Sequence, residues 1–326
     1  MRYALSEARD WVRHELRGYL TVLYTPFRQD FSLDEEGLRH NVRATLALPG
    51  VGGLSVHSLH QEFWTLTDTE RMRVAEVVLD EVAGRVPVVI GCSDPSAERV
   101  VAFARHAASA GADLVMVWPP FYGPRSAEGV RGFCEYVAPR IPIGMLAYST
   151  TLSELGFYLA PPQARDLLAL PNLCGLQNTT LNLAQYSAMM EAVGAEIAVA
   201  TSLEEYHLHG QLAFPDRAPR FLIGASRPVF CQSAAHPHAA RLLAALEAGD
   251  FVAAASAARN IGAIAEKLQS RYFARGFHHV GLFKHLAGRM GMRTGPVRPG
   301  VAPASATEIS ECEAILREAG LLDLTG

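Results

Sequence analysis

Short runs of apolar, β-branched residues alternate with amphipathic helical periods along most of this chain. Eight runs read as strands: Leu20–Tyr24, Gly53–Val56, Val86–Gly91, Leu114–Val117, Ile143–Ala147, Leu173–Leu176, Ile197–Ala200 and Phe221–Gly224. They are nearly continuous apolar stretches, as strands covered on both faces require. Between them the period lengthens to that of a helix. Ser32-Leu33-Asp34 precedes a helix running to about Leu46, and Thr67-Asp68-Thr69-Glu70 opens another with acids in its first turn, where the helix dipole favours them. Further helices are predicted over Ser96–Ala110, Ala127–Ala138, Gln163–Leu170 and Leu183–Val193. Repetition of strand and helix predicts parallel strands joined by crossovers, closing into an α/β fold of the (β/α)8 TIM barrel type. A doubly wound sheet is the alternative, disfavoured because no G-x-G-x-x-G follows the first strand. After Pro228 the pattern is wholly helical, over about Ala239–Ala248, Phe251–Ser270, Gly281–Gly291 and Ala306–Ala319. A single domain over 1–326 is expected, with an amphipathic N-terminal helix (1–17), the barrel (18–228), and closing and extra C-terminal helices (229–326).

Composition narrows the function classes. Hydrophobic residues make up 49% and charged residues 19% of 326, enough for a large core and wrong for a disordered chain. Net charge is −4 with no Lys/Arg cluster, so no nucleic-acid partner is expected. No apolar run is long enough to span a bilayer, and Met1–Leu20 lacks the apolar core of a secretory signal. A cytoplasmic protein with a small-molecule substrate and no membrane partner is the expectation. Five cysteines, none in a C-x-x-C pair, read as buried thiols of a reducing compartment. Only two lysines exist, Lys267 and Lys284, which limits any lysine-dependent chemistry to two candidates.

In such barrels chemistry sits at the C-terminal ends of the strands. Those ends carry Thr25-Pro26-Phe27, Arg85-Val86-Pro87-Val88-Val89-Ile90-Gly91, Pro120-Phe121-Tyr122, Tyr148 after Pro142-Ile143, and Pro171-Asn172-Leu173-Cys174-Gly175-Leu176. Later come Gly281-Leu282-Phe283-Lys284 and Gly295-Pro296-Val297-Arg298-Pro299. In this order and spacing they resemble the dihydrodipicolinate synthase / N-acetylneuraminate lyase family over about residues 18–322. The longer N-terminus, Glu204-Glu205-Tyr206 and the Gly-Pro-Val-Arg-Pro turn resemble its hydratase-aldolase branch.

The resemblance implies a lysine ending strand six that attacks a 2-oxo acid, forming an iminium ion that serves as electron sink. Here the family's Gly-Leu-Lys is Gly175-Leu176-Gln177, and a carboxamide cannot form that imine. No lysine precedes Glu266 to replace it. The family's Gly-Thr-Thr-Gly-Glu is here Ser58-Leu59-His60-Gln61-Glu62, in which only the glutamate matches; in the family those threonines and their backbone N–H groups hold the oxo-acid carboxylate and help relay a proton, which Leu59 cannot do. Its Tyr-Asn-x-Pro is Tyr148-Ser149-Thr150-Thr151. Two family tyrosines match: Tyr148, the acid/base phenol, and Tyr122, which the family uses across a subunit interface. The family's habit also implies a homo-oligomer, a tetramer or dimer.

These readings give Tyr148, Tyr122 and His60 as candidate catalytic residues. Gln177, Asn178, Ser58, Leu59, His57, Glu62, Ser226 and Arg227 are candidate substrate-binding residues. Histidine titrates near neutral pH, so His60 is a candidate replacement base. Arg227 offers a bidentate fork to a carboxylate. His57, His60 and Glu62 invite a metal reading, but their spacing falls on a loop and no third ligand is fixed, so neither metal nor cofactor is expected. The primary expectation is a lyase-type enzyme that acts on a carbonyl-containing acid without a Schiff base, by hydration, tautomerisation or decarboxylation. The alternatives are a Schiff-base aldolase or hydratase-aldolase that recruits Lys284, and a non-catalytic barrel, either ligand-binding or, if Leu59, Trp118 and Phe121 fill the pocket, structural.

Overall fold

The computed structural model describes residues 2–123, 125–152, 157–270, 272 and 278–322. Eight strands form one sheet: β1 (Gly18–Val22), β2 (Val51–Val56), β3 (Val88–Gly91), β4 (Leu114–Val117), β5 (Gly144–Thr150), β6 (Leu173–Thr179), β7 (Ala198–Ala200) and β8 (Phe221–Ala225). Their order is β7-β6-β5-β4-β3-β2-β1-β8, and neighbours are parallel. The remaining gap is bridged where the Ile223 N–H donates to the Thr201 carbonyl at 3.0 Å, which closes the sheet into a barrel. The strands fall where the apolar runs predict.

The helices preceding and between the strands are α1 (Ala8–Glu15), α2 (Glu35–Leu46), α3 (Asp68–Val82), α4 (Ala97–Ser109), α5 (Ala127–Val137), α6 (Pro161–Asp166), α7 (Leu183–Val193) and α8 (Glu204–Ala213). After β8 come α9 (Arg227–Phe230), α10 (His238–Glu247), α11 (Phe251–Ala265), α12 (Val280–Arg289) and α13 (Ala306–Glu318). Their starts are written locally. Asp34 caps α2 by accepting from Gly37 N–H, and Thr67 with Glu70 forms a reciprocal capping box on α3. Among the described residues no helix is long and apolar enough to cross a membrane.

Two differences from the sequence reading matter for the site. The N-terminal segment is a 3-10 turn (Leu5–Glu7) followed by α1, rather than one helix over 1–17. It covers the N-terminal ends of the strands: Arg9 donates to the Leu168, Leu170 and Leu173 carbonyls, and Tyr3 to the Asp113 carbonyl. Ala8, Val12 and Leu16 join Leu20, Leu114 and Phe221 in one buried cluster, so that end is plugged. Secondly, β5 and β6 run three residues beyond their predicted ends. The ladder continues through Tyr148↔Gln177, Ser149↔Asn178 and Thr150↔Thr179. Polar side chains end an apolar run without ending a backbone ladder, and here they carry it to the C-terminal mouth. The remaining core splits in two: one cluster between the outer barrel wall and α2–α7, another where α10–α13 pack against β1 and β8.

Candidate active site

The loop after β2 is the most constrained piece of the mouth. His57 and Glu62 both take left-handed backbone conformations, with φ of 57° and 47°, which side-chain-bearing residues rarely adopt. His57 is held within the loop through Gln61, which is itself tied to Thr25, and Glu62 is held from outside it. The His57 N–H donates to Gln61 Oε1 at 2.5 Å, and Gln61 Nε2 donates to Thr25 Oγ1 at 3.3 Å. The fully buried Glu62 carboxylate accepts from Lys284 Nζ at 2.5 Å and from the Arg298 N–H at 3.1 Å. Pinned at both ends, the loop turns His57, Ser58, Leu59 and His60 into the barrel mouth.

There they meet Tyr148 and Gln177 around an inner chamber of about 80 Å3. Gln177 and Thr179 lie two apart on β6 and so share a face. Gln177 Nε2 donates to Thr179 Oγ1 at 3.3 Å. Gly224, at φ 73°, leaves room for this amide, since a Cβ there would stand 2.5 Å from Gln177 Nε2. Tyr148 is buried and stacks on Trp118 with centroids 4.8 Å apart. Burial raises its pKa, outweighing the Thr179 and Thr150 hydroxyls that favour the ionised form. The phenol therefore keeps its proton at neutral pH and presents it as a hydrogen-bond donor.

The histidines are neutral. Burial pushes His57 down to about 3, with Arg71 adding to the effect, and burial alone pushes His60 down to about 3. The His60 ring lies edge-on to His278 at 4.2 Å. The expected role of His60 as a base poised near neutrality is therefore corrected: in this setting it is a weak base and a neutral hydrogen-bonding group. His57 Nε2, His60 Nδ1 and Ser58 Oγ are buried and without a partner among the described residues.

These depressed values make a pH prediction. The unfolded chain protonates its histidines near 6.5, whereas the folded chain resists protonation down to about 3. Protons thus bind the unfolded state preferentially in that window, and stability falls as pH drops through it. Each of the two rings contributes a slope of roughly 1.4 kcal/mol per pH unit. Urea midpoints at pH 7.5 and pH 5 check this, and a midpoint unchanged or higher at pH 5 would refute the neutral assignment.

Outside the chamber lies an apolar vestibule of about 310 Å3, lined by Phe63, Trp64, Phe121, Val280 and Val301. Leu59, Trp118 and His278 line both spaces, so the two are adjacent and share these walls. The side chains of Leu59, Trp118 and Phe121 border open space here rather than filling it.

Several sequence candidates lie elsewhere. Glu62 is committed to Lys284 and Arg298. Arg227, at the start of α9, is buried, its Nη1 is tied to Glu204 at 2.5 Å and Glu205 at 2.9 Å, and it lines neither space. Ser226 accepts from Gln269 Nε2 at 3.0 Å. Asn178 follows Gln177 directly and so points to the opposite face of β6, away from the chamber. Tyr122 is 83% exposed and lines neither space. Lys284 is buried on α12, also donates to the Pro296 carbonyl at 2.8 Å and sits 4.2 Å over the Phe27 ring. Lys267 is exposed beside Glu318. Neither lysine reaches the chamber. Among the described residues no three His, Cys, Asp or Glu side chains converge on a metal position.

Thr179, Ser202, Gly224 and His278 line the chamber without having been singled out by sequence. Thr179 was accessible through its spacing from Gln177. His278 comes from a segment before α12 that no local pattern ties to the mouth.

The profile of the Dihydrodipicolinate synthetase family matches residues 15–319. A 4-hydroxy-tetrahydrodipicolinate synthase of Methylobacterium radiotolerans is 30% identical over 322 residues, covering 94% of this chain and 97% of that one. One of Chelativorans sp. is 28% identical, covering 94% and 99%. Among solved structures, the prophage protein YagE of E. coli K12, in complex with pyruvate, superposes with a TM-score of 0.81 at 23% identity, covering 94% and 99%. N-acetylneuraminate lyase of Mycoplasma synoviae does so with 0.78 at 19%, covering 94% and 98%.

Proposed function

The chain belongs to the Dihydrodipicolinate synthetase family, a family of lyases, and on that premise we propose that it is a small-molecule lyase-type enzyme that works on a carbonyl compound without forming a Schiff base. The observation that carries this reading is the side chain at the strand-six position: the Gln177 amide faces the chamber beside a protonated Tyr148, and neither lysine of the chain lines it. An amide lone pair is delocalised and does not attack a carbonyl. Its N–H can instead polarise one, and a charge developing on that oxygen in a dry chamber gains more from such a donor than it would in water. Tyr148 supplies or recovers the proton, within reach of the Thr179 hydroxyl that also accepts from Gln177. In hydration or tautomerisation Tyr148 gives its proton to the carbonyl oxygen as a water molecule adds to the carbon or an α-proton leaves, and the resulting phenolate takes up the proton released. Carbon–carbon cleavage without an electron sink would demand more than this set of groups supplies.

The test is a panel of pyruvate, aromatic oxo acids and neutral aromatic carbonyls, each incubated with the protein with and without borohydride. We expect turnover of at least one compound and no borohydride-dependent adduct in the intact mass. An adduct mapped to Lys284 or Lys267 that accompanies loss of activity would sink the non-covalent reading. Absence of turnover across the panel would sink the enzymatic one.

A further inference from the structure

Resting on that reading of the chamber, we infer that the ligand is an uncharged aromatic carbonyl compound, whose carbonyl head enters the inner chamber while its flat apolar group lies in the vestibule. The carboxylate that the family resemblance implies would meet no cationic side chain among the described residues of this arrangement.

Three features argue for an uncharged head. First, no lysine or arginine lines either space among the described residues. Nearby cations are already engaged: Arg71 donates to the Gly91 and Ser93 carbonyls, Arg227 is held by Glu204 and Glu205, and Lys284 by Glu62. Second, the groups that do line the chamber are neutral at physiological pH, since both loop histidines are uncharged and the phenol is protonated. A carboxylate would be taken out of water with no counter-charge and only backbone N–H groups of the loop to hold it, which is costly, whereas a ketone or amide needs only hydrogen bonds. Third, His57 Nε2, His60 Nδ1 and Ser58 Oγ are buried, unpartnered among the described residues and on the lining loop. Unmet polar atoms in such a place call for a hydrogen-bonding ligand or water. A neutral imidazole carries one donor and one acceptor nitrogen, so this set can serve a head with both kinds of group.

The size and surface of the two spaces argue for the aromatic part. The chamber, about 80 Å3, takes a head of only a few heavy atoms, while the vestibule, about 310 Å3, has room for a ring. Phe63 and Phe121 present their rings to it, and Trp64, 44% exposed, stands at its rim. Exposed aromatics around a concave apolar space mark a binding site more often than chance exposure. An uncharged head also narrows the chemistry, because it removes decarboxylation and leaves hydration and tautomerisation.

Four probes separate charge from ring: benzoylformamide, benzoylformate, pyruvamide and pyruvate. Binding is read by titration calorimetry on the full chain at pH 7.5. We expect benzoylformamide to bind about tenfold or more tighter than benzoylformate, and by a similar factor tighter than pyruvamide. Trp64→Ser, at an exposed position, is expected to weaken benzoylformamide and leave pyruvamide unchanged. Benzoylformate binding more tightly than its amide, as it would if the backbone N–H groups of the loop cradled a carboxylate, would overturn the uncharged head. Equal binding of the phenyl and methyl compounds would overturn the aromatic group, and so would failure of all four to bind. These readouts are equilibria, so they stand or fall apart from the turnover and trapping that test the mechanism.

Discussion

Tyr148→Phe is expected to lower kcat by about 10²–10⁴ on any carbonyl compound the wild-type protein turns over, the range lost when a positioned proton carrier is removed. The substitution deletes one oxygen. It keeps the ring that stacks on Trp118, so the chamber wall and the fold should persist. The loss should appear in kcat more than in KM, because the phenol matters most as charge moves in the transition state. The shape of the pH profile is part of the prediction. With His57 and His60 held near 3, His278 lowered well below its ordinary value by burial and the Tyr148 pKa raised, no described residue lining the chamber changes charge between pH 5 and 8. The wild-type rate should then be flat across that range, where an active histidine base would give a limb near 6–7. A phenylalanine variant within about threefold of wild type, or a wild-type limb abolished by His60→Gln, would transfer the proton role from Tyr148 to another group.

The eight strands were readable because each is covered on both faces and so stays apolar along its length. Boundaries failed where chemistry begins: β5 and β6 continue through Tyr148-Ser149-Thr150 and Gln177-Asn178-Thr179, whose polarity looks like a loop. The loop His57–His60, Tyr148 and Gln177 were found as candidates separately, and the barrel brings them to one chamber. What stayed hidden is tertiary. Glu62 meets Lys284 across 222 residues, and Arg227 meets Glu204 and Glu205 from the neighbouring strand-to-helix connection. A charged side chain at a strand end reads as a substrate clamp until its counter-ion is known. The protonation of the histidines was equally out of reach, since depth of burial decides it and sequence gives no measure of that depth. Asn178 is a different case, because the two-residue period of a strand already separates it from Gln177.

Gln177→Lys is expected to convert a chamber that forms no imine into one that does, with borohydride-dependent adduct rising from undetectable to near stoichiometric at residue 177. The position is on β6 with Tyr148 directly across the ladder, and Gly224 leaves open the space that the end of the side chain occupies. A lysine there reaches about one bond further into the chamber than glutamine does. With no carboxylate on the lining to hold the ammonium form, burial would depress its pKa and leave a larger share as free amine at neutral pH. Tyr148 beside it can donate the proton that loss of water from the carbinolamine requires. Pyruvate and a neutral aromatic aldehyde serve as the carbonyl partners. Wild-type protein treated in the same way reports any background at exposed Lys267 and the N-terminus, and peptide mapping assigns the modified residue. An adduct at residue 177 would make the lost amine the one group separating this chamber from covalent carbonyl chemistry. A folded variant that shows no adduct at 177 with either partner would mean that the carbonyl does not approach this side chain, and the polarising role given to the Gln177 amide would fall with it.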